Sequence, residues 1–160
     1  MTYIAKSVWA VLLSVTMAAA VQAQDIKNES KKVKAVIKQL FDGMRQGNPD
    51  MVAGAFYENA TLQTTFTHRK TGKSVLHNGG AYTKFVESIK KKKPEDTYDE
   101  RISKYVVQID DNLASVWTPY QFYLNGKLSH CGVNNFQLFK SEKGWKIISI
   151  IDTRRRKKCK

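Results

Sequence analysis

The sequence predicts an α+β domain in which helices come first and an antiparallel sheet follows. Three observations lead there. The early part of the chain carries apolar residues at helical spacing; from residue 98 onward the apolar residues fall in long strand-length runs; and the turns between those runs are too short for a helical crossover. Helices followed by strands on hairpin-length connections indicate segregated α+β rather than alternating α/β.

The chain opens on one cation, Lys6, followed by the apolar and small residues Val8 to Ala20 and the ending Val21-Gln22-Ala23. A positive start, a short apolar run and a small-x-small ending predict a secretory signal over 1–23 and a mature start at Gln24. The run is shorter than the roughly 20 residues a spanning helix needs, so the expectation is an exported protein, periplasmic or secreted. Residues 24–153 then form one domain and 154–160 a basic C-terminal tail.

Val33, Val36, Ile37, Leu40, Phe41 and Met44 recur at i, i+3, i+4 and i+7, which predicts a long first helix with one buried stripe. Gly47 stops it. Asn48-Pro49-Asp50 starts a second, short helix ending near residue 57: Asn48 caps, Pro49 takes the first helical position and Asp50 meets the dipole. Residues 60–67 alternate and are rich in Thr, a strand signature. A polar stretch containing Gly72 follows. A third helix is expected over 80–92, with Tyr82, Phe85, Val86 and Ile89 as its stripe and Pro94 beyond its end. Strands are then expected over 98–109, 113–124, 127–139 and 145–152, joined as an antiparallel meander by Asp110-Asp111-Asn112, Asn125-Gly126 and residues 141–144.

Asn125-Gly126 is the strongest local signal. A two-residue type I′ turn there pairs Leu124 with Lys127. Regular counting from that pair sets Gln121 opposite His130, Trp117 opposite Asn134 and Tyr120 opposite Cys131. Alternation then gathers Trp117, Gln121, His130 and Asn134 on one face, and Val116, Thr118, Tyr120, Phe122, Cys131 and Val133 on the other.

The formal charge of +13 is concentrated in two blocks, Lys90 to Lys93 and Arg154 to Lys158. Aromatic residues do not interleave with these blocks as a single-strand stacking platform requires. Specific nucleic-acid binding is therefore not expected, and weak attraction to anionic surfaces is. Cys131 and Cys159 allow a single intramolecular bridge in an oxidising compartment, unless a mobile tail holds them apart. They provide no metal site, since zinc would need further ligands at close spacing.

The element order resembles the nuclear transport factor 2-like superfamily. So do Phe56-Tyr57-Glu58-Asn59-Ala60-Thr61-Leu62 and the ending Gly144-Trp145-Lys146-Ile147-Ile148-Ser149-Ile150-Ile151-Asp152-Thr153. Residues 60–64, 130–134 and 151–155 are similar to a bacterial lumazine-binding, SnoaL-like branch. The resemblance implies a cone-shaped, curved antiparallel sheet wrapped around the long N-terminal helix, with two further helices and a cavity inside. It implies a small-molecule ligand without naming it. Members often pair through the outer sheet face, and with apolar residues on both faces, Phe136 and Leu138 on one and Val133 and Phe139 on the other, a homodimer is expected.

His130 is the leading candidate for chemistry because imidazole suits acid–base work near neutral pH. Asp152, at the end of the last strand, is its candidate partner; an ordinary salt-bridged strand end is the alternative. Trp117, Tyr120, Gln121, His130 and Asn134 are the candidate ligand contacts, an aromatic wall with a few polar groups. His68 and His77 lie in the loop before the third helix. The sequence carries no nucleophile elbow, phosphate loop, zincin motif or dinucleotide fingerprint, so no cofactor or metal is expected. Three functions remain open: binding of a small, partly apolar ligand; proton-transfer catalysis by His130 and Asp152; or interaction with polyanions or a protein partner through the basic tail.

Overall fold

The computed structural model describes the backbone of residues 3–159 and the side chains of residues 24–159. The side chains on which the export expectation rests, in residues 1–23, lie outside the described residues. The chain divides into two compact units, Met1–Lys32 and Val33–Lys160. Helix α1 is Tyr3–Gln46. In the first unit, Lys32 pairs with Glu29 and Gln24 with Asn28, each about one turn away. All other elements belong to the second unit.

From Val33 onward the predicted stripe is the buried face of α1: Val33, Ile37, Leu40, Phe41 and Met44 are all buried. Gly47, at φ +66°, turns the chain out of the helix. Asn48 then caps α2 (Pro49–Ala53), its side-chain oxygen accepting from the Met51 amide at 2.9 Å. The short helix ends earlier than expected, because Ala55 is already engaged by the sheet: its carbonyl accepts from the Ile147 amide at 2.9 Å.

Strands β1 (Phe56–Thr67) and β2 (Ser74–Ala81) precede α3 (Tyr82–Lys90). Then come β3 (Tyr98–Ile102), β4 (Val106–Asp110), β5 (Leu113–Leu124), β6 (Lys127–Ser141) and β7 (Gly144–Arg154). They form a seven-stranded sheet in the order β2-β1-β7-β6-β5-β3, with β4 also on β5. The meander is present, and β1 joins it by running parallel to β7.

Two expectations are corrected here. The polar stretch after residue 67 contains β2, an edge strand whose Gly79 and Gly80 weaken its local signal; pairing with β1 supplies what propensity does not. The expected strand over 98–109 is two strands. The break falls opposite Pro119, whose carbonyl accepts from the Ser103 amide at 3.1 Å. A residue's N–H and C=O point to the same side of an antiparallel strand, and proline has no N–H, so the ladder lapses there.

The core lies between α1 and the concave face of the sheet. Phe136, Leu138, Ile147 and Val116 are buried from the sheet side, and Ile89 from α3. Phe41 meets Phe136 edge to face at 6.1 Å.

Candidate functional site

The core does not fill the whole space beneath α1. A cavity of about 240 Å³ remains, lined by apolar groups from α1 (Leu40, Phe41, Met44) and from the strands (Phe122, Phe136, Ile150). Its polar lining comes from separate strands: Thr64 on β1, Glu100 on β3, Tyr120 on β5, His130 and Asn134 on β6, Asp152 and Arg154 on β7. Alternation along each strand sends these side chains to one face.

The register explains which residues meet. Asn125 and Gly126 both have positive φ, at 52° and 75°, and Leu124 pairs with Lys127 as the turn predicts. A β-bulge at Ser129 then inserts one residue, so His130 pairs with Phe122, Gly132 with Tyr120 and Asn134 with Thr118. The regular count is therefore corrected by one position. His130 and Asn134 share their face with Tyr120 and Phe122. Trp117 and Gln121 lie on the opposite face, where Trp117 is 50% exposed and Gln121 accepts from the Tyr123 hydroxyl at 3.1 Å. Neither lines the cavity.

Gly132 permits the close passage of β6 over β7. A Cβ built there would lie 1.7 Å from the Thr153 carbonyl oxygen and 2.9 Å from the Tyr120 ring. Beyond it, the Cys131 and Arg155 backbones exchange two hydrogen bonds of 2.9 Å. Cys131 and Cys159 form a disulfide. The basic tail is exposed, yet it is fastened to β6 near that strand's start.

The polar groups form two linked clusters. Asp152 accepts from the Thr64 hydroxyl at 2.5 Å and from the Tyr120 hydroxyl at 3.0 Å, and its carboxylate lies 3.6 Å from the Arg154 guanidinium. Beside it, the Asn134 amide donates to Glu100 at 2.7 Å. Burial pushes the Glu100 carboxyl up to about 7, with the nearby Asp152 charge adding to the rise. Part of the Glu100 residue is exposed, but its carboxyl is the desolvated portion. Burial, then the Asp152 and Glu100 charges, raise the Tyr120 hydroxyl well above its usual range, so it stays protonated.

His130 is buried against aromatic rings, 4.9 Å from Phe122 and 5.9 Å from Tyr120 between centroids. Burial first, then the Arg154 charge, push it down to about 4. It is therefore neutral at physiological pH. Its Nδ1 faces the Ser129 hydroxyl at 3.1 Å. His130 and Asp152 line the same cavity, but no hydrogen bond joins them among the described residues. The geometry brings together Tyr120, His130, Asn134 and Asp152 and separates them from Trp117 and Gln121. His68 and His77 sit exposed on the β1–β2 hairpin, away from the cavity.

Thr64, Glu100 and Arg154 are polar lining residues that sequence reasoning missed, and Glu100 is the one whose chemistry the cavity alters most. Asp99-Glu100-Arg101 reads as a solvated strand edge. The available signal was period two: Tyr98 and Ile102 flank Glu100 at i±2 and share its face.

Residues 28–151 match the model of the family described as "Putative lumazine-binding". No curated protein matches the sequence significantly. Among solved structures, a "Putative Scytalone Dehydratase" from Novosphingobium aromaticivorans is 13% identical, with TM-score 0.65 over 84% of this chain and 89% of that one. An NTF2-like protein with a cystatin-like fold from the same organism is 8% identical, with TM-score 0.65 over 89% and 90%. An NTF2-like protein of unknown function from Shewanella baltica is 17% identical, with TM-score 0.58 over 81% and 95%. At these identities the likeness is one of fold.

Proposed function

Because the chain belongs to the family described as "Putative lumazine-binding", within the nuclear transport factor 2-like superfamily, we propose that it binds a small, partly apolar molecule in the cavity beneath α1. One observation carries this reading. Apolar walls surround a space of about 240 Å³ into which Glu100, Tyr120, His130, Asn134 and Asp152 converge from four strands. That composition is the usual one for a small-molecule site, and the volume, just below the common range of roughly 300–1,000 Å³, favours a compact ligand. The test is calorimetric titration with a small aromatic alcohol, 2-naphthylmethanol. Binding should weaken in Asn134→Leu; equal affinity in both proteins would count against the cavity.

A second reading, proton-transfer catalysis, is favoured by Glu100 rather than by His130. General acid–base groups work best with a pKa near the operating pH, and Glu100 stands at about 7 whereas His130 stands at about 4. The probe is hydrogen–deuterium exchange at the α-carbon of a bound enolisable ketone, 2-tetralone. Catalysed exchange that vanishes in Glu100→Gln supports this reading, and exchange at the solvent rate refutes it.

The Cys131–Cys159 bond supports the export reading, because such bonds persist in oxidising compartments. N-terminal sequencing of exported material should begin at Gln24. The outer sheet face supports a homodimer contact. Val106, Trp117 and Ile151 lie on one cross-strand row there and are all exposed.

A further inference from the structure

We propose that Arg154, at the clamped end of β7, makes this cavity selective for small amphipathic organic anions, with the anionic group held by its guanidinium and the apolar body inside. The inference rests on the cavity being a ligand site and adds the chemical class of the ligand.

Strand alternation sends Asp152 and Arg154 to the cavity face of β7. Arg154 lines the cavity while its side chain is 49% exposed, so it spans from the cavity to solvent. Its 3.6 Å contact with Asp152 is an ion pair longer than a hydrogen bond. Asp152 is also engaged by Thr64 and Tyr120. The guanidinium therefore keeps N–H groups for an incoming carboxylate, the partner its planar fork suits best.

The next residues are held, not loose. Arg155 pairs with Cys131 through both backbone groups, and Cys159 is bonded to Cys131. Lys158 adopts the left-handed conformation, φ 56°, that turns the chain back toward that bond. A free run of five cations would spread by self-repulsion. Here the run is tied beside His130 by the Arg155–Cys131 pairing, and the Arg154 charge acts on that imidazole. The rim of the cavity thus carries the Arg154 cation, and Phe41, Phe122 and Phe136 give its walls aromatic surface, which together suit an aromatic carboxylate.

The test compares an acid with its neutral isostere. The oxidised full chain is titrated with 2-naphthoate and with 2-naphthylmethanol, at low and high salt, and separately with phosphatidylglycerol vesicles. The acid should bind about tenfold tighter than the alcohol at low salt, with the ratio shrinking as salt screens the rim. The ratio should fall to near one in Arg154→Gln, and should drop in Cys159→Ser. A ratio near one in the unaltered protein, or a roughly tenfold ratio that survives Arg154→Gln, overturns the rim while leaving the cavity reading intact. Failure of both probes to bind overturns the two together. Binding to vesicles with no preference for the acid also overturns the proposal, in favour of a surface-binding tail.

Discussion

The Asn134 side-chain amide donates to Glu100 at 2.7 Å, tying a central strand of the sheet to its edge strand over β5. This contact keeps a carboxyl group inside an apolar enclosure and gives it a partner in either protonation state. Desolvation outweighs the stabilising hydrogen bond, so the group rises to about 7.

That balance predicts an unusual pH profile. Between pH 4.5 and 7 the folded protein holds a proton on Glu100 that the unfolded chain has released, so stability from this group falls as pH rises. His130 works in the opposite sense. Between about 4 and 6.5 the unfolded chain binds a proton that the buried imidazole does not, so stability rises with pH. Each slope is about 1.4 kcal/mol per pH unit at most, and the two cancel over their shared window. Asp42 and Asp99, hydrogen-bonded by Lys38 and by Arg101 and Arg45, are held below the usual carboxylate range and titrate beneath this window. Urea unfolding from pH 4.5 to 6.5 should therefore be nearly flat for the unaltered protein. It should rise for Glu100→Gln and fall for His130→Gln. Identical profiles for all three would contradict these assignments.

Gly132 should tolerate no side chain. With a Cβ 1.7 Å from the Thr153 carbonyl oxygen, Gly132→Ala must push β6 off β7 and break the Cys131–Arg155 pairing. A loss of about 3 kcal/mol or more is expected, measured by chemical denaturation. A loss under about 1 kcal/mol would mean the strands part easily there.

The disulfide closes a loop with a sequence separation of 28 residues. Chain entropy assigns such a link about 3–4 kcal/mol. Reducing the protein, or making Cys159→Ser, should lower the urea midpoint accordingly. An unchanged midpoint would show that the tail adds nothing to the fold.

Much of the fold was legible in the sequence because its signals are local. The α1 stripe, the Asn48-Pro49 cap and the Asn125-Gly126 turn each act within a few residues, and each stands where expected. What could not be read depends on contacts far apart in the chain. The strand β2 exists because β1 offers an edge. The bulge at Ser129 carries no turn residue to announce it, yet it transfers Trp117 and Gln121 from one face to the other. The bond to Cys159 depends on β7 reaching Arg154 and on Arg155 finding Cys131. His130, Asn134, Tyr120 and Asp152 were identified as individual residues, but their true neighbours follow from that single inserted residue.

Trp117 gives a direct check on the corrected register. Trp117→Ala should change 2-naphthylmethanol affinity by less than about twofold, since the side chain is half exposed on the outer face. If that face joins two copies, sedimentation should show a weaker dimer in the same variant. Strong loss of ligand affinity with no change in assembly would restore the regular register.

The most direct test is backbone NMR mapping of bound small aromatic alcohols and acids on the intact, oxidised protein. The predicted result is that binders shift the resonances of Glu100, Phe122, His130 and Asn134 and leave Trp117 and Gln121 in place. Binders that shift only the outer-face residues, or a panel that never perturbs the cavity, would contradict the account.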